Sequence, residues 1–188
     1  MNLHGVEVRM LRWTFRIAVL ILALAMAAPA SAQERRILES GGIGKVRIGM
    51  SVSRAERALG ARLRSFIPAY GKGCWLAVRA DGIDAGLSYM VERARITRID
   101  VDTPRSGTAP MISTAKGIGV GSTQAEVERA YGSAVIVAPA PYGHSDGDRW
   151  LTVESTPTRG IVLSISDGKV VSLWSGRRSS IAYSEACS

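Results

Sequence analysis

Histidine and cysteine are nearly absent from this chain of 188 residues, with two of each. One histidine is His4, close to the N-terminus, so a histidine-dependent active site would have to rest on His144 alone. Two Cys and one His without ligand spacing leave no zinc site. Without a C-x-x-C pair there is no thioredoxin-like redox centre, and no cofactor or metal is expected. Apolar runs are scarce as well. The one such stretch, Ile17–Ala28, is twelve residues, against the ~20 that a membrane-spanning helix needs. Acidic residues are outnumbered, 16 Asp plus Glu against 24 Lys plus Arg, for a net charge of +8. The basic residues are scattered rather than massed on one element, which reads as a solvated basic surface and not as a nucleic-acid footprint. A hydrophobic content of 46% with 21% charged residues excludes a disordered tail and supplies a real core for one domain or two small ones.

What is present begins with an export signal. Arg9, Arg12 and Arg16 form a positive region ahead of Ile17–Ala28, and Ala30-Ser31-Ala32 offers the small residues of a cleavage box. Residues 1–32 read as a secretory signal peptide, with an uncleaved anchor as the alternative. Removing them leaves 21 basic and 15 acidic residues, a net +6. The bacterial periplasm is the expected destination, secretion the alternative. In that oxidising setting Cys74 and Cys187 have one intramolecular pairing open to them, a bridge from mid-chain to the C-terminal tail. Free thiols or an intermolecular bridge are the other possibilities.

The chain also matches itself. Val46-Arg47-Ile48-Gly49-Met50-Ser51 matches Ile118-Gly119-Val120-Gly121-Ser122-Thr123, and Glu56-Arg57-Ala58-Leu59-Gly60 matches Glu128-Arg129-Ala130-Tyr131-Gly132, both at an offset of 72. Trp75-Leu76-Ala77-Val78 matches Trp150-Leu151-Thr152-Val153 at 75, and Gly86-Leu87 and Ile96 match Gly160-Ile161 and Val170 at 74. Each copy opens with a short extended piece and a Gly turn, then a helix. Ser53 with Glu56, and Thr123 with Glu126, offer capping boxes. Ala55, Ala58 and Leu59, like Val127, Ala130 and Tyr131, form one buried stripe, and Gly60 and Gly132 suit a left-handed helix end. Strands are expected at Cys74–Ala80, Gly86–Val91 and Arg95–Val101, then at Trp150–Glu154, Gly160–Ser166 and Lys169–Ser175. Asp167-Gly168 marks a two-residue hairpin. Helix first and antiparallel strands after is an α+β fold, two tandem repeats each packing a helical segment on an antiparallel sheet. The boundaries are a linker at 33–43, repeat 1 at 44–108 and repeat 2 at 109–188, with the Pro-containing stretch 103–110 between the repeats.

Strand alternation assigns faces. Leu76, Val78, Leu151, Val153, Ile161, Leu163, Ile165 and Leu173 should turn to the helices. Trp75, Ala77, Arg79, Trp150, Thr152, Glu154, Ser172 and Trp174 should then share the opposite face. Aromatic and Arg side chains on a polar surface are typical interface anchors. Packing of the indoles in the seam between repeats, or under a loop, is the alternative.

The segment Val46-Arg47-Ile48-Gly49-Met50-Ser51 followed by a helix resembles the opening of each repeat in the β-lactamase-inhibitor-protein fold. The same short motif occurs in the small outer-membrane assembly lipoproteins of that architecture. The resemblance covers the start of both copies and the general order of elements. It implies a helical segment on an antiparallel sheet, used twice, with the exposed sheet face as the binding surface.

Several patterns look catalytic. Gly143-His144-Ser145-Asp146-Gly147 fits G-x-S-x-G, but a Pro-rich loop precedes it, a strand follows and no His lies beyond it, unlike a hydrolase nucleophile elbow. Asp146-Gly147-Asp148 lacks the twelve-residue calcium ligand set. Asp100 and Asp102 share a strand face near Arg95, Arg98 and Arg105, and paired carboxylates there read as exposed strand-end acids. Gly41-Gly42-Ile43-Gly44 precedes a strand instead of linking strand to helix, so it is no phosphate loop. No residue is assigned a catalytic role. The sequence therefore points to an exported, non-enzymatic module of the bacterial envelope. It would bind a protein partner through Trp75, Arg79, Tyr89, Tyr142, Trp150 and Trp174, without nucleic acid and without stable membrane insertion. A serine hydrolase using Ser145 and His144, or a structural envelope protein, is the alternative.

Overall fold

A computed structural model describes residues 36–67, 73–104, 107, 110–185 and 187. The signal segment 1–32 and Arg105 lie outside the described residues. The elements in chain order are strands β1 (Arg36–Glu39), β2 (Gly42–Ile43) and β3 (Val46–Arg47); helix α1 (Val52–Leu59); strands β4 (Leu63–Ile67), β5 (Cys74–Arg79), β6 (Leu87–Glu92), β7 (Arg95–Asp102) and β8 (Ile112–Thr114); helix α2 (Gln124–Tyr131); strands β9 (Val135–Pro139), β10 (Arg149–Thr156), β11 (Arg159–Ser166) and β12 (Lys169–Arg177); and a final turn of helix, α3 (Arg178–Ile181). The strands form two sheets, ordered β3-β2-β1-β8 and β4-β5-β6-β7-β12-β11-β10-β9. The fold is α+β and mainly strand. The stretch read as a linker at 33–43 instead carries β1 and β2, because Leu38 and Ile43 have a core to enter.

Both long helices start where the sequence offers a cap. At α2 the Thr123 hydroxyl accepts from the Glu126 amide at 3.2 Å, and the Glu126 carboxylate accepts from the Thr123 amide at 2.7 Å, closing the expected capping box. At α1 the cap is Ser51, whose hydroxyl accepts from the Arg54 amide. The Ser53 and Glu56 box does not form, because the Glu56 carboxylate accepts from the Leu63 amide at 2.9 Å and ties the helix to β4. Gly60 ends α1 in the left-handed region as expected. Gly132 also has positive φ but an extended ψ, and the chain passes into a single 3-10 turn, Gly132–Ala134.

The large sheet is two four-stranded meanders joined edge to edge by β7 and β12. Their ladders have the same register. Ala77 opposes Tyr89 as Leu151 opposes Leu163, and Tyr89 opposes Ile99 as Leu163 opposes Leu173, each shifted by 74. A bulge falls between Met90 and Val91, and another between Ser164 and Ile165. The turns before the helices match too: the Gly49 amide bonds the Ile96 carbonyl, and the Gly121 amide bonds the Val170 carbonyl. At the seam Arg98 opposes Gly176, Asp100 opposes Trp174 and Asp102 opposes Ser172, so the pairing is symmetric about the Asp100–Trp174 pair. Gly176 is required there, since a Cβ would lie 2.4 Å from the Thr97 carbonyl oxygen.

One face of this sheet is covered by α1, α2 and the small sheet. Leu87, Tyr89, Val91, Ile99, Val101, Leu151, Leu163 and Leu173 pack there against Ala55, Val127, Leu38, Val46 and Ile118. Three placements differ from expectation. Ala77 is fully buried in this core and Trp75 packs against it, so β5 is turned over relative to the sequence reading, and Leu76 faces outward. The offset of 75 aligned the wrong faces; the ladders put Leu76, not Trp75, in register with Trp150. Tyr89 is wholly buried, its hydroxyl pushed up to about 12 by desolvation. Arg79 lies on the covered side, where its guanidinium bonds Asp81 at 2.7 Å and reaches Asp84 at 3.5 Å; Arg36 of β1 holds the other oxygen of Asp84 and so ties the two sheets together.

Cys74 and Cys187 are bridged, with Cα atoms 5.5 Å apart across 113 residues of chain. Closing a loop of that length stabilises by roughly 4–5 kcal/mol on chain entropy.

The two-residue turns test the fold. Asp167-Gly168 has positive φ at both residues, as its hairpin requires. The matching turn from β6 to β7 uses Arg93 (φ 50°) and Ala94 (φ 60°), residues that resist this conformation. Replacing Arg93-Ala94 by Asn-Gly should therefore stabilise by about 1 kcal/mol, read as a higher urea midpoint with unchanged slope.

Candidate functional site

Among the described residues, the second face of the large sheet is covered only by α3 with the tail that follows it and, at one side, by the loop between β9 and β10. Trp174 sits under that turn of helix, 4% exposed, and its indole N–H donates to the Ile181 carbonyl at 3.0 Å. Trp150 meets it edge to face with centroids 5.0 Å apart, and Val162 and Ile181 complete the cluster. The Arg98 guanidinium lies 4.5 Å from the centre of the Trp174 ring and donates to the Tyr183 carbonyl at 3.0 Å. The Ser180 hydroxyl donates to Glu92 at 2.9 Å. With the disulfide, these bonds hold the C-terminal tail across one end of the open face.

Beyond the tail lies a groove of about 570 Å³. Its floor is set by strand alternation. Direct pairing places Ser88 beside Asp100, Asp102 beside Ser172, Ser172 beside Ser164 and Ser164 beside Trp150, all on this face. Phe66, Leu76 and Val171 add apolar wall, and the loop between β9 and β10 brings Tyr142 and His144 over one side.

Asp100 is buried and shares Oδ1 with Arg98, whose Nε donates at 2.7 Å. Its Oδ2 has no hydrogen-bond partner among the described residues. Desolvation raises its proton affinity, and Arg98 opposes that shift. Asp102 stands one pleat further along, reachable by solvent, with its carboxyl pushed up to about 6 by the protein atoms crowding it and then by the charge of Asp100, against Arg98. The expectation of exposed strand-end acids therefore holds for Asp102 and fails for Asp100, which the seam encloses.

The G-x-S-x-G segment is a loop held by Asp148. The Ser145 hydroxyl donates to one carboxylate oxygen at 2.9 Å, and the His144 amide donates to the other at 2.7 Å. These bonds hold the Asp148 carboxyl below its usual range, led by that from Ser145. The site thus brings together Tyr142, Trp150 and Trp174 of the residues singled out in the sequence, and leaves Trp75, Arg79 and Tyr89 on the far side. It adds Arg98, Asp100, Asp102 and Phe66. The alternation Arg98-Ile99-Asp100-Val101-Asp102 was the available signal, since it puts three charges on one face. Among the described residues no group of His, Cys, Asp and Glu is arranged to hold a metal ion, and no helix is long and apolar enough to cross a membrane. Among known proteins, no family model matches the chain, and neither a curated protein nor a solved structure is similar to it.

Asp102 has a signed effect on stability. Its folded value lies above the ordinary 3.8, so the folded state holds the proton more tightly and stability falls as pH rises from about 4 through about 6. Asp102→Asn removes that loss. The midpoint difference between variant and parent should be larger at pH 7.5 than at pH 4, measured by urea denaturation at both.

Proposed function

We propose that the chain is an exported, non-enzymatic module of the bacterial envelope that binds a protein partner in the groove of its open sheet face. In this reading the body is two copies of one helix-plus-meander unit, in the manner of the β-lactamase-inhibitor-protein fold. The observation that carries the binding reading is the groove itself: a sheet face with aromatic and carboxylate side chains that, among the described residues, is covered only in part, by α3 with the tail and by the loop between β9 and β10. Large uncovered faces bearing aromatic anchors are the usual substrate of protein recognition.

The coincident ladder registers, shifted by 74 in both meanders, support the two-copy reading. The bridge between Cys74 and Cys187 supports an oxidising compartment. The Ser145 hydroxyl is committed to Asp148, an arrangement that serves the loop and gives no support to a nucleophile. A second reading, a structural dimer, draws on β9. It is one of the sheet's two outer strands, without charged residues, with Ile136 and Val137 exposed.

The test places a photo-crosslinking amino acid at Tyr142, which is 71% exposed on the groove rim, and captures the neighbour in the native cell. Phe66→Ala should reduce capture about tenfold, the loss of one aromatic anchor, with thermal stability unchanged because Phe66 is 61% exposed. Undiminished capture would remove the groove as the binding surface. A captured second copy of the chain, with a dimer on sizing, would favour the structural reading.

A further inference from the structure

The groove runs against the charge of the molecule around it. The chain carries 24 basic residues to 16 acidic, yet the groove is lined by Asp100, Asp102 and Asp148 with Arg98 as the lone guanidinium among its described residues. Arg98 is spoken for. It bonds Asp100 Oδ1, stacks on Trp174 and donates to the tail carbonyls. Asp148 is spoken for by Ser145 and His144. What is left, among the described residues, is Asp102, with no ion pair, and Asp100 Oδ2, buried and without a hydrogen-bond partner. A buried carboxylate oxygen without a donor is costly to maintain, and two carboxylates on one strand face repel each other. A cation with several N–H donors seated against Asp102, on the groove side of Asp100, offsets this crowding of negative charge.

We infer that the groove receives a basic side chain, arginine in preference to lysine, from an extended segment of the protein partner, with Asp102 as the principal ion-pair acceptor. The inference rests on the binding reading above and names the chemistry of its occupant. Three features select this cation. The free acceptors are carboxylate oxygens, which a guanidinium engages in pairs. Trp150, partly exposed, and Tyr142, on the rim, offer planar rings on which a guanidinium stacks. Arg98 over Trp174 already shows the pairing of indole and guanidinium on this face. The hydroxyls of Ser88, Ser164 and Ser172 line the same floor and accept from remaining N–H groups or from peptide amides. A groove of about 570 Å³ has the size of a site for one long side chain and its flanking backbone.

The test uses the full oxidised protein and two blocked tripeptides, acetyl-Gly-Arg-Gly-amide and its citrulline counterpart, which keeps the shape and loses the charge. Titration is followed by calorimetry and by tryptophan fluorescence. The arginine peptide should bind and the citrulline peptide should bind at least tenfold more weakly. Asp102→Asn should weaken the arginine peptide about tenfold or more while leaving the citrulline peptide unchanged, the effect of one charge-assisted contact. Asp102→Glu, which restores the charge, should recover most of the affinity. Equal binding of the two peptides, binding of neither, or indifference to Asp102→Asn overturns the inference. The crosslinking experiment separates this failure from that of the binding reading. Partner capture that survives in Asp102→Asn and falls in Phe66→Ala leaves the groove as a binding surface and removes the basic side chain as its occupant.

Discussion

The structure depends on the antiparallel pairing of β7 with β12. Each four-stranded meander alone would end in an open row of unpaired amides and carbonyls. Joined, they make one eight-stranded sheet whose covered face is a single hydrophobic cluster drawing on both meanders, both helices and the small sheet. The groove follows from the same join, because its floor is the seam: Asp100, Asp102, Ser172 and Trp174 are there only because these two strands are neighbours. Gly176 permits the approach, with no room for a Cβ beside the Thr97 carbonyl.

The C-terminal tail is a second consequence of the seam. β12 runs directly into α3, which folds back on the open face, and Arg98, Trp174 and Glu92 each bond to it from that face. The disulfide fastens the tail's end to the start of β5. The tail thus closes one end of the face and leaves the other as a groove, so the same contacts that anchor the chain's last turn define the shape of the candidate site.

Much of the architecture was legible in the sequence. Both helices followed from apolar spacing, α2 from its cap as well, and the six inner strands from alternation and turn residues. The Thr123 box, the Asp167-Gly168 hairpin and the Cys74–Cys187 bridge were all readable, because each is a local or pairwise device. The failures have a common cause. In β5 both alternating sets are apolar, Leu76 and Val78 against Trp75 and Ala77, so one strand alone does not say which face is buried; only the neighbour Tyr89, opposite Ala77, decides. The likeness of Trp75-Leu76 to Trp150-Leu151 then drew the alignment one residue out of register, which inverts every side chain. The outer strands β4 and β9 escaped notice because edge strands bury little and show weak alternation. The acid pair was visible, but its enclosure arises from pairing across 74 positions, which no local pattern carries.

The pairing of β7 with β12 is centred on Asp100, which stands opposite Trp174. In two separate identical chains associating through this edge, aspartate would be forced to oppose aspartate, and like charges directly across a ladder are destabilising. Within one polypeptide the two positions are specified independently, so one accepts a carboxylate while the other supplies the indole that shelters its arginine. Covalent continuity is therefore what lets the centre of this sheet set an aspartate against a tryptophan instead of against its own copy.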